Sequence, residues 1–97
     1  MSYEEAIKSA PVVFVEFFAT WCPHCQRMMP IIDQVRELLG EQVPVYQLDI
    51  EQNQELAQQN DVESIPTMII YKDGSEVWRH TGEMDGNDLL AQIQSYL

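Results

Sequence analysis

Apolar residues follow two different periods along the chain, and the change of period marks the predicted helices and strands. From Pro23 to Leu39 they recur at spacings of three and four residues, which predicts an amphipathic helix that ends at Gly40. The segment Val12–Phe18 is instead apolar throughout except for Glu16. An apolar run without polar alternation is typical of a strand buried on both faces of a sheet.

The remaining segments complete the predicted order α-β-α-β-α-β-β-α. Helices are expected at residues 3–9, 52–60 and 87–97, with Ser2 and Asp85 as caps of the first and last, and strands at 43–48, 67–71 and 76–80. Asp73-Gly74 separates the last two strands and favours the positive φ angles of a tight hairpin. A hairpin pairs its strands antiparallel, whereas helical connections allow parallel pairing. The pattern therefore predicts an α/β fold with a mixed sheet and helices on both faces.

Size and charge limit the classes of function. A chain of 97 residues is expected to form one domain, residues 1–97. Five Lys and Arg against 16 Asp and Glu give a net charge of −11, which makes nucleic acids and anionic membranes unfavourable partners. Glu4 and Glu5 stand where an export signal would have a basic cluster, so we expect a cytoplasmic protein. The alternative is an exported protein whose leader has been removed.

The chemistry is concentrated in the sequence Cys22-Pro23-His24-Cys25, which opens the helix after a predicted buried strand. Two cysteines separated by two residues in this context indicate a redox pair. We expect Cys22 to be exposed at the helix N-terminus, where free N–H groups and the helix dipole favour a thiolate. Cys25 is one turn further on and faces the protein, so Cys22 is predicted to attack a disulfide and Cys25 to resolve the mixed disulfide.

Two other interpretations of the cysteines stay open. They could be buried structural thiols, or they could form part of a zinc site. Zinc needs three or four protein ligands, and His24 and His80 are the only histidines that could complete the set. We therefore predict no metal.

From residue 12 to the end, the chain resembles the thioredoxin family. The resemblance rests on the order and spacing of several short segments: 15–25, 29–30, 48–53, 65–67, 72–74 and 81–82. It implies a thioredoxin fold and a protein thiol–disulfide oxidoreductase that needs no metal or organic cofactor. The first ten residues are too few for the strand and helix that open thioredoxins, so we expect that strand to be absent and the sheet to have about four strands.

The resemblance also assigns roles around the cysteine pair. It implies a cis bond at Ile65-Pro66 that presents the Ile65 backbone to a substrate strand, and a Gly82 without a side chain to block that approach. Trp21 would be an apolar contact for substrates. The competing interpretations are a proline that only starts a strand, an ordinary turn glycine and a tryptophan of the core.

Glu16 is the unusual residue of the buried strand. Burial of a carboxylate is costly, so this acid is expected to be either neutral or hydrated. The family has an aspartate here, behind the resolving cysteine, and a lysine close by that is replaced in this chain by Gln47. Without that cation, desolvation should raise the pKa of Glu16. We predict that Glu16 accepts the proton of Cys25; the alternative is an acid at a strand end that faces water.

His24 bears on the direction of electron flow. Reductases of the family usually have Gly-Pro between the cysteines, whereas Pro-His occurs in the periplasmic oxidase that introduces disulfides. An imidazolium at this position would stabilise the Cys22 thiolate, so we expect a potential between about −270 and about −120 mV.

Three functions follow from these features. The first is a monomeric reductase of protein disulfides, recycled by a flavin-dependent thioredoxin reductase. The second is a disulfide oxidase or isomerase, and the third is a binding module that kept the fold.

Overall fold

All 97 residues are described by the computed structural model, and the order of elements is as predicted. The elements are α1 (Tyr3–Ile7), β1 (Val12–Phe18), α2 (Pro23–Leu39), β2 (Val45–Asp49), α3 (Gln54–Gln59), β3 (Thr67–Lys72), β4 (Ser75–Thr81) and α4 (Gly86–Gln94). None of the helices has the length and apolar character that a membrane span requires.

The sheet has four strands in the order β2-β1-β3-β4. β1 pairs in parallel with β2 and antiparallel with β3, and β3 pairs antiparallel with β4. This confirms the mixed four-stranded sheet. In the register, Glu16 of β1 lies between Gln47 of β2 and Met68 of β3. The acid therefore occupies the interior of the sheet and not a strand end.

Successive side chains of β1 enter two separate cores, because neighbouring residues of a strand point to opposite faces. Val12 and Phe14 pack with α2 and α4 in one cluster, whereas Val13, Val15 and Phe17 pack on the opposite face, beside α1 and α3. Helices thus cover both faces, as predicted.

The helix ends and the hairpin follow the residues that predicted them. Ser2 and Asp85 cap α1 and α4 with their side chains. Gly40 ends α2 at a φ of +59°, and the turn residues Asp73 and Gly74 have φ angles of 51° and 82°. A left-handed φ is accessible to glycine at little cost, which explains Gly40.

The start of β2 differs from the prediction. The strand was expected at 43–48 and is Val45–Asp49. Val43 is buried in the core, but it precedes the ladder. Pro44 follows it and has no N–H group to donate, although its carbonyl oxygen accepts a hydrogen bond from Phe14 N at 3.0 Å. The predicted strand therefore begins two residues too early, because Val43 is a core residue that lies outside the ladder.

Candidate active site

The two cysteines occupy the first turn of α2. Cys22 is the N-cap of this helix and Pro23 is its first residue, where the missing N–H has no helical partner to lose. The Cys25 amide donates to Cys22 Sγ at 3.3 Å, and the Cys22 thiol lies 3.9 Å from the Ile65 carbonyl oxygen. The cap geometry therefore directs a backbone N–H group at the sulfur of Cys22.

Both cysteines are buried, which corrects the expectation of an exposed Cys22. Cys22 keeps 4% of its surface exposed and Cys25 keeps 2%. The pair packs with Ala19, and Ile50 and Ile65 close around it. The sequence placed Cys22 correctly at the helix start, but these neighbours come from loops after β2 and before β3 that local spacing does not reveal.

Burial holds the thiol of Cys25 in its protonated form. It raises the pKa of Cys25 to about 12, with a further increase from the hydrogen bond to Cys22. The charge of Glu16 adds a smaller increase to the pKa of this thiol. A thiol whose pKa is raised in this way is protonated at neutral pH.

A backbone edge lies beside Cys22. The Ile65-Pro66 peptide bond is cis, as the resemblance implied. The Ile65 amide donates to no group of the protein, and Gly82 N donates to the Pro66 carbonyl oxygen at 2.8 Å. Gly82 has a φ of +101°, and a Cβ built on it would meet no atom within 4 Å. Ile65, Pro66 and Gly82 are thus brought together around an open space.

Trp21 lies on the surface, so the interpretation as a core tryptophan is wrong. It is 62% exposed. Its indole Nε1 donates to Glu51 Oε1 at 2.9 Å, which holds the ring in place next to the cysteine pair. An exposed aromatic side chain fixed in this way offers an apolar contact that loses little freedom on binding.

Glu16 is buried in the interior of the sheet. It is 1% exposed, so the alternative of an acid facing water is wrong. Oε1 accepts a hydrogen bond from Gln47 Nε2 at 2.9 Å, whereas Oε2 has no partner. Burial raises the pKa of Glu16, and the Gln47 hydrogen bond opposes part of that rise. The increase in pKa agrees with the sequence prediction.

His24 contacts Glu83 and Arg27 on the solvent-exposed side of the start of α2. Its Nδ1 lies 2.7 Å from Glu83 Oε2 and 2.9 Å from Arg27 Nη2. Arg27 also donates to both carboxylate oxygens of Glu83 through Nε, at 2.9 and 3.1 Å. The hydrogen bonds of Arg27, and next those of His24, lower the pKa of Glu83 to about 2. The imidazole predicted to act on Cys22 is therefore paired with a carboxylate.

The remaining chemistry of the surface is limited. No group of three or more His, Cys, Asp or Glu side chains is arranged to hold a metal ion. The second histidine, His80, has its Nε2 3.2 Å from the Glu83 carbonyl oxygen. The site thus supplies thiols, one buried acid and a backbone edge.

Comparison with known proteins agrees with this geometry. The model of the family described as Thioredoxin matches residues 1–95. The chain belongs to the thioredoxin family. Thioredoxins are protein thiol–disulfide oxidoreductases, and the two cysteines of this chain lie close together, as in a redox-active pair.

Individual relatives support the same assignment. A chloroplastic thioredoxin Y of Oryza sativa subsp. japonica is 40% identical over 97 residues, and the match covers 99% of this chain and 58% of that protein. A thioredoxin-like protein of Synechocystis is 34% identical, with 99% of this chain and 92% of the relative covered. The structure of a mutant thioredoxin from Halobacterium salinarum superposes with a TM-score of 0.87 at 30% identity, covering 96% of this chain and 80% of that one.

Sequence reasoning missed several residues that contact the thioredoxin-type site. Arg27 and Glu83 bind His24, and Glu51 holds Trp21. Arg36 donates to Gln47, which in turn donates to Glu16. The only signal for these contacts was the position of Glu83 directly after Gly82. Apart from the contact within α2, they join residues 11 or more positions apart, and no local periodicity predicts such pairs.

Proposed function

We propose that the protein reduces disulfides in other proteins through a cycle of Cys22 and Cys25. The Cys22 thiolate attacks one sulfur of the substrate disulfide, and the other substrate sulfur leaves with the electron pair and takes a proton from water. The observation that carries this proposal is the helix cap, in which the Cys25 N–H points at Cys22 Sγ while Cys25 itself lies deeper.

The second half of the cycle releases the substrate. Cys25 loses its proton to Glu16 and attacks Cys22 Sγ, so that the Cys22–Cys25 disulfide forms and the second substrate thiol departs. Two electrons pass from the dithiol to the substrate in each cycle. The raised pKa of Cys25 supports the need for a base, and Glu16 is the buried acid whose charge acts on that thiol.

The substrate is proposed to lie along the edge formed by Ile65, Pro66 and Gly82, with Trp21 beside it. The unpaired Ile65 amide suits a main-chain hydrogen bond to an extended segment. Because Cys22 keeps only 4% of its surface, the substrate disulfide has to enter this open space to reach the sulfur. Gly82 would leave room for it.

The remaining assignments concern the setting of this cycle. We propose a monomer in the cytoplasm, which is recycled by a flavin-dependent thioredoxin reductase and uses no cofactor of its own. The two cysteines suit a reducing compartment. The net charge of −11 favours a reductase whose docking face is basic.

Insulin reduction with dithiothreitol as electron donor tests the proposal. Wild type should accelerate precipitation of the insulin B chain, Cys22→Ser should be inactive, and Cys25→Ser should accumulate a mixed disulfide. Alkylation by iodoacetamide, located by mass spectrometry, should modify Cys22 before Cys25. Activity that persists in Cys22→Ser, or a Cys22 that resists alkylation in the native protein, would refute the proposed cycle.

One observation favours a second function, that of a disulfide oxidase or isomerase. Pro23-His24 lies between the cysteines, although His24 Nδ1 is in contact with the Glu83 carboxylate at 2.7 Å. Equilibration with glutathione distinguishes the two functions: we expect a potential between about −270 and about −120 mV. A value near the upper limit would favour the oxidase. A protein inactive in both directions would be the binding module.

A further inference from the structure

A glutamine connects the buried acid to an arginine at the surface. Gln47 Nε2 donates to Glu16 Oε1 at 2.9 Å, and Arg36 Nη2 donates to Gln47 Oε1 at 2.7 Å. The second Nε2 contact of Gln47 is with Met29 Sδ at 3.8 Å. Arg36 Nη1 also donates to Asp33 Oδ1 at 3.1 Å on the exposed side of α2.

The direction of this chain of hydrogen bonds is fixed. A guanidinium has donors only, so it can bind the oxygen of the Gln47 amide and not the nitrogen. The NH₂ group of Gln47 must then face Glu16. Because that NH₂ group is also only a donor, Glu16 Oε1 has to accept in both protonation states of the carboxyl group.

These hydrogen bonds favour Oε2 as the oxygen of Glu16 that carries a proton. Oε1 is occupied by the Gln47 hydrogen bond, while Oε2 is buried without any partner in the protein. A buried polar atom without a partner is costly, and a bound proton relieves the charge on it.

We propose that Arg36, acting through Gln47, orients the Glu16 carboxyl group so that Oε2 is the oxygen that takes the proton released by Cys25. Arg36 and Gln47 are thus positioning residues for the cysteine pair. This inference rests on the proposed Cys22/Cys25 cycle and adds the atom that receives the proton and the residues that select it.

In the resolving step the mixed disulfide is exchanged for the Cys22–Cys25 disulfide. The S–H bond of Cys25 breaks and its proton moves to Oε2, while the sulfur forms a bond to Cys22 Sγ. The bond between Cys22 and the substrate breaks, and the electron pair leaves on the substrate sulfur, which takes a proton from water. When the disulfide is reduced again, the proton on Oε2 returns to Cys25.

The charged groups around Glu16 change its pKa in opposite directions. Arg36 of α2 lowers the pKa of Glu16 and Asp33 of the same helix raises it, while Cys25 is the titratable group on which Glu16 itself acts. The neighbours of Glu16 in the sheet, Gln47 and Met68, carry no charge. The two ends of the Arg36–Asp33 pair therefore make matched variants with opposite expected signs.

The test measures resolution by Cys25 directly, in the full chain. A mixed disulfide of Cys22 with thionitrobenzoate is formed at acid pH, and a pH jump in a stopped-flow instrument starts release of the coloured thiol. The Glu16 carboxyl resonance is titrated by ¹³C NMR in the same variants. The variants are Arg36→Met, Arg36→Lys, Gln47→Leu and Asp33→Asn.

Arg36→Met should move the Glu16 titration and the pH profile of release to higher pH, and release on the rising part of the profile should slow about two- to fivefold. Gln47→Leu should shift both further, because the Gln47 hydrogen bond has the larger effect on Glu16. Arg36→Lys should restore most of the wild-type profile, since an ammonium group is also only a donor. Asp33→Asn should shift both to lower pH.

Two outcomes would overturn the inference. One is an Arg36→Met protein whose Glu16 titration matches wild type. The other is a shift in the same direction for Arg36→Met and Asp33→Asn, which would indicate a loosened α2 and not a change of electrostatics. Neither outcome affects the Cys22 cycle, which fails only if Cys22→Ser remains active in the insulin assay.

Discussion

Two glutamates flank the cysteine pair, each connected to an arginine, and their acidities change in opposite directions. On the outer side, the hydrogen bonds from Arg27 and then His24 lower the pKa of Glu83 to about 2. On the inner side, burial raises the pKa of Glu16 although Arg36 acts on it. The Glu83 side chain is 36% exposed, whereas Glu16 is 1% exposed.

The difference lies in how each arginine reaches its acid. Arg27 binds both oxygens of Glu83 directly, with Nη2 at 2.8 Å from Oε2. Arg36 stops one residue short of Glu16 and donates to Gln47. An interposed amide transmits orientation and weakens the effect of the charge without removing it, so desolvation decides the direction of the Glu16 pKa shift. A cation that contacts its acid has the largest effect on the pKa, whereas a cation that acts through an amide sets the geometry and shifts the pKa less.

The largest expected effect comes from removing the inner acid. Glu16→Leu should raise the free energy of unfolding of the reduced protein at pH 8 by about 1–3 kcal/mol, since it removes a buried, half-satisfied carboxyl group. The folded-state pKa of Glu16 lies above the unfolded value of about 4.3. Wild type therefore loses stability as pH rises from the unfolded to the folded pKa. Urea unfolding at pH 4 and pH 8 measures the gain.

The control for this experiment is Glu16→Gln, which keeps an oxygen to accept from Gln47 but cannot ionise. The advantage of both variants over wild type should be smaller at pH 4 than at pH 8. A wild-type protein whose stability relative to Glu16→Gln does not change with pH would show that Glu16 is ionised normally in the fold.

A smaller effect is expected when Glu16 is given a cation in direct contact, as Glu83 has in Arg27. Gln47→Lys places a cation directly at Glu16, and an opposite charge at this distance lowers the pH of half-ionisation by about 1 unit or more. Resolution by Cys25 should then extend to lower pH, as measured by release of thionitrobenzoate. Gln47→Met, which has a similar length and no charge, is the matched control. If the pH profiles of release are equal in Gln47→Lys and Gln47→Met, a cation in direct contact with Glu16 has no special effect on its pKa, and the comparison of the two glutamates fails.

The inner side of the site was largely predictable and the outer side was not. Glu16 interrupts an apolar run in β1, so its burial could be expected from one segment, while its raised pKa was inferred from Gln47 at the position of the family's lysine. The contacts of His24 could not, because Glu83 is 59 residues away along the chain. The sequence analysis expected an imidazolium that stabilises the Cys22 thiolate, whereas Glu83 of the loop after β4 is the partner of His24.

The prediction that Cys22 is exposed was wrong for a related reason. Helix N-termini are open by default, and the sequence marks Cys22 clearly as the cap of α2. The residues that cover it, Ile50 and Ile65, come from two other loops. The order of elements, by contrast, followed from period, caps and turn residues, all of which are local.

The smallest expected effect tests the outer side of the comparison. Glu83→Gln removes the negative partner of His24 and Arg27, and the charge of Arg27 already acts on Cys22. Loss of this negative charge leaves the guanidinium of Arg27 unopposed near the helix start, which should stabilise the Cys22 thiolate and with it the reduced form. The reduction potential should therefore rise, on the order of 10 mV at low salt and less at high salt, because these groups are exposed.

Equilibration with glutathione at two salt concentrations measures this change. Glu51→Gln, which alters an equally exposed acid on the Trp21 side, is the control and should leave the potential closer to wild type. Wild type should also lose the stabilisation from Glu83 as pH falls from about 4.3 towards the folded-state pKa of about 2, a loss that Glu83→Gln cannot show. If the potential of Glu83→Gln is the same as that of wild type, the outer cluster has no influence on the thiolate, and if it falls, the proposed sign of that influence is wrong.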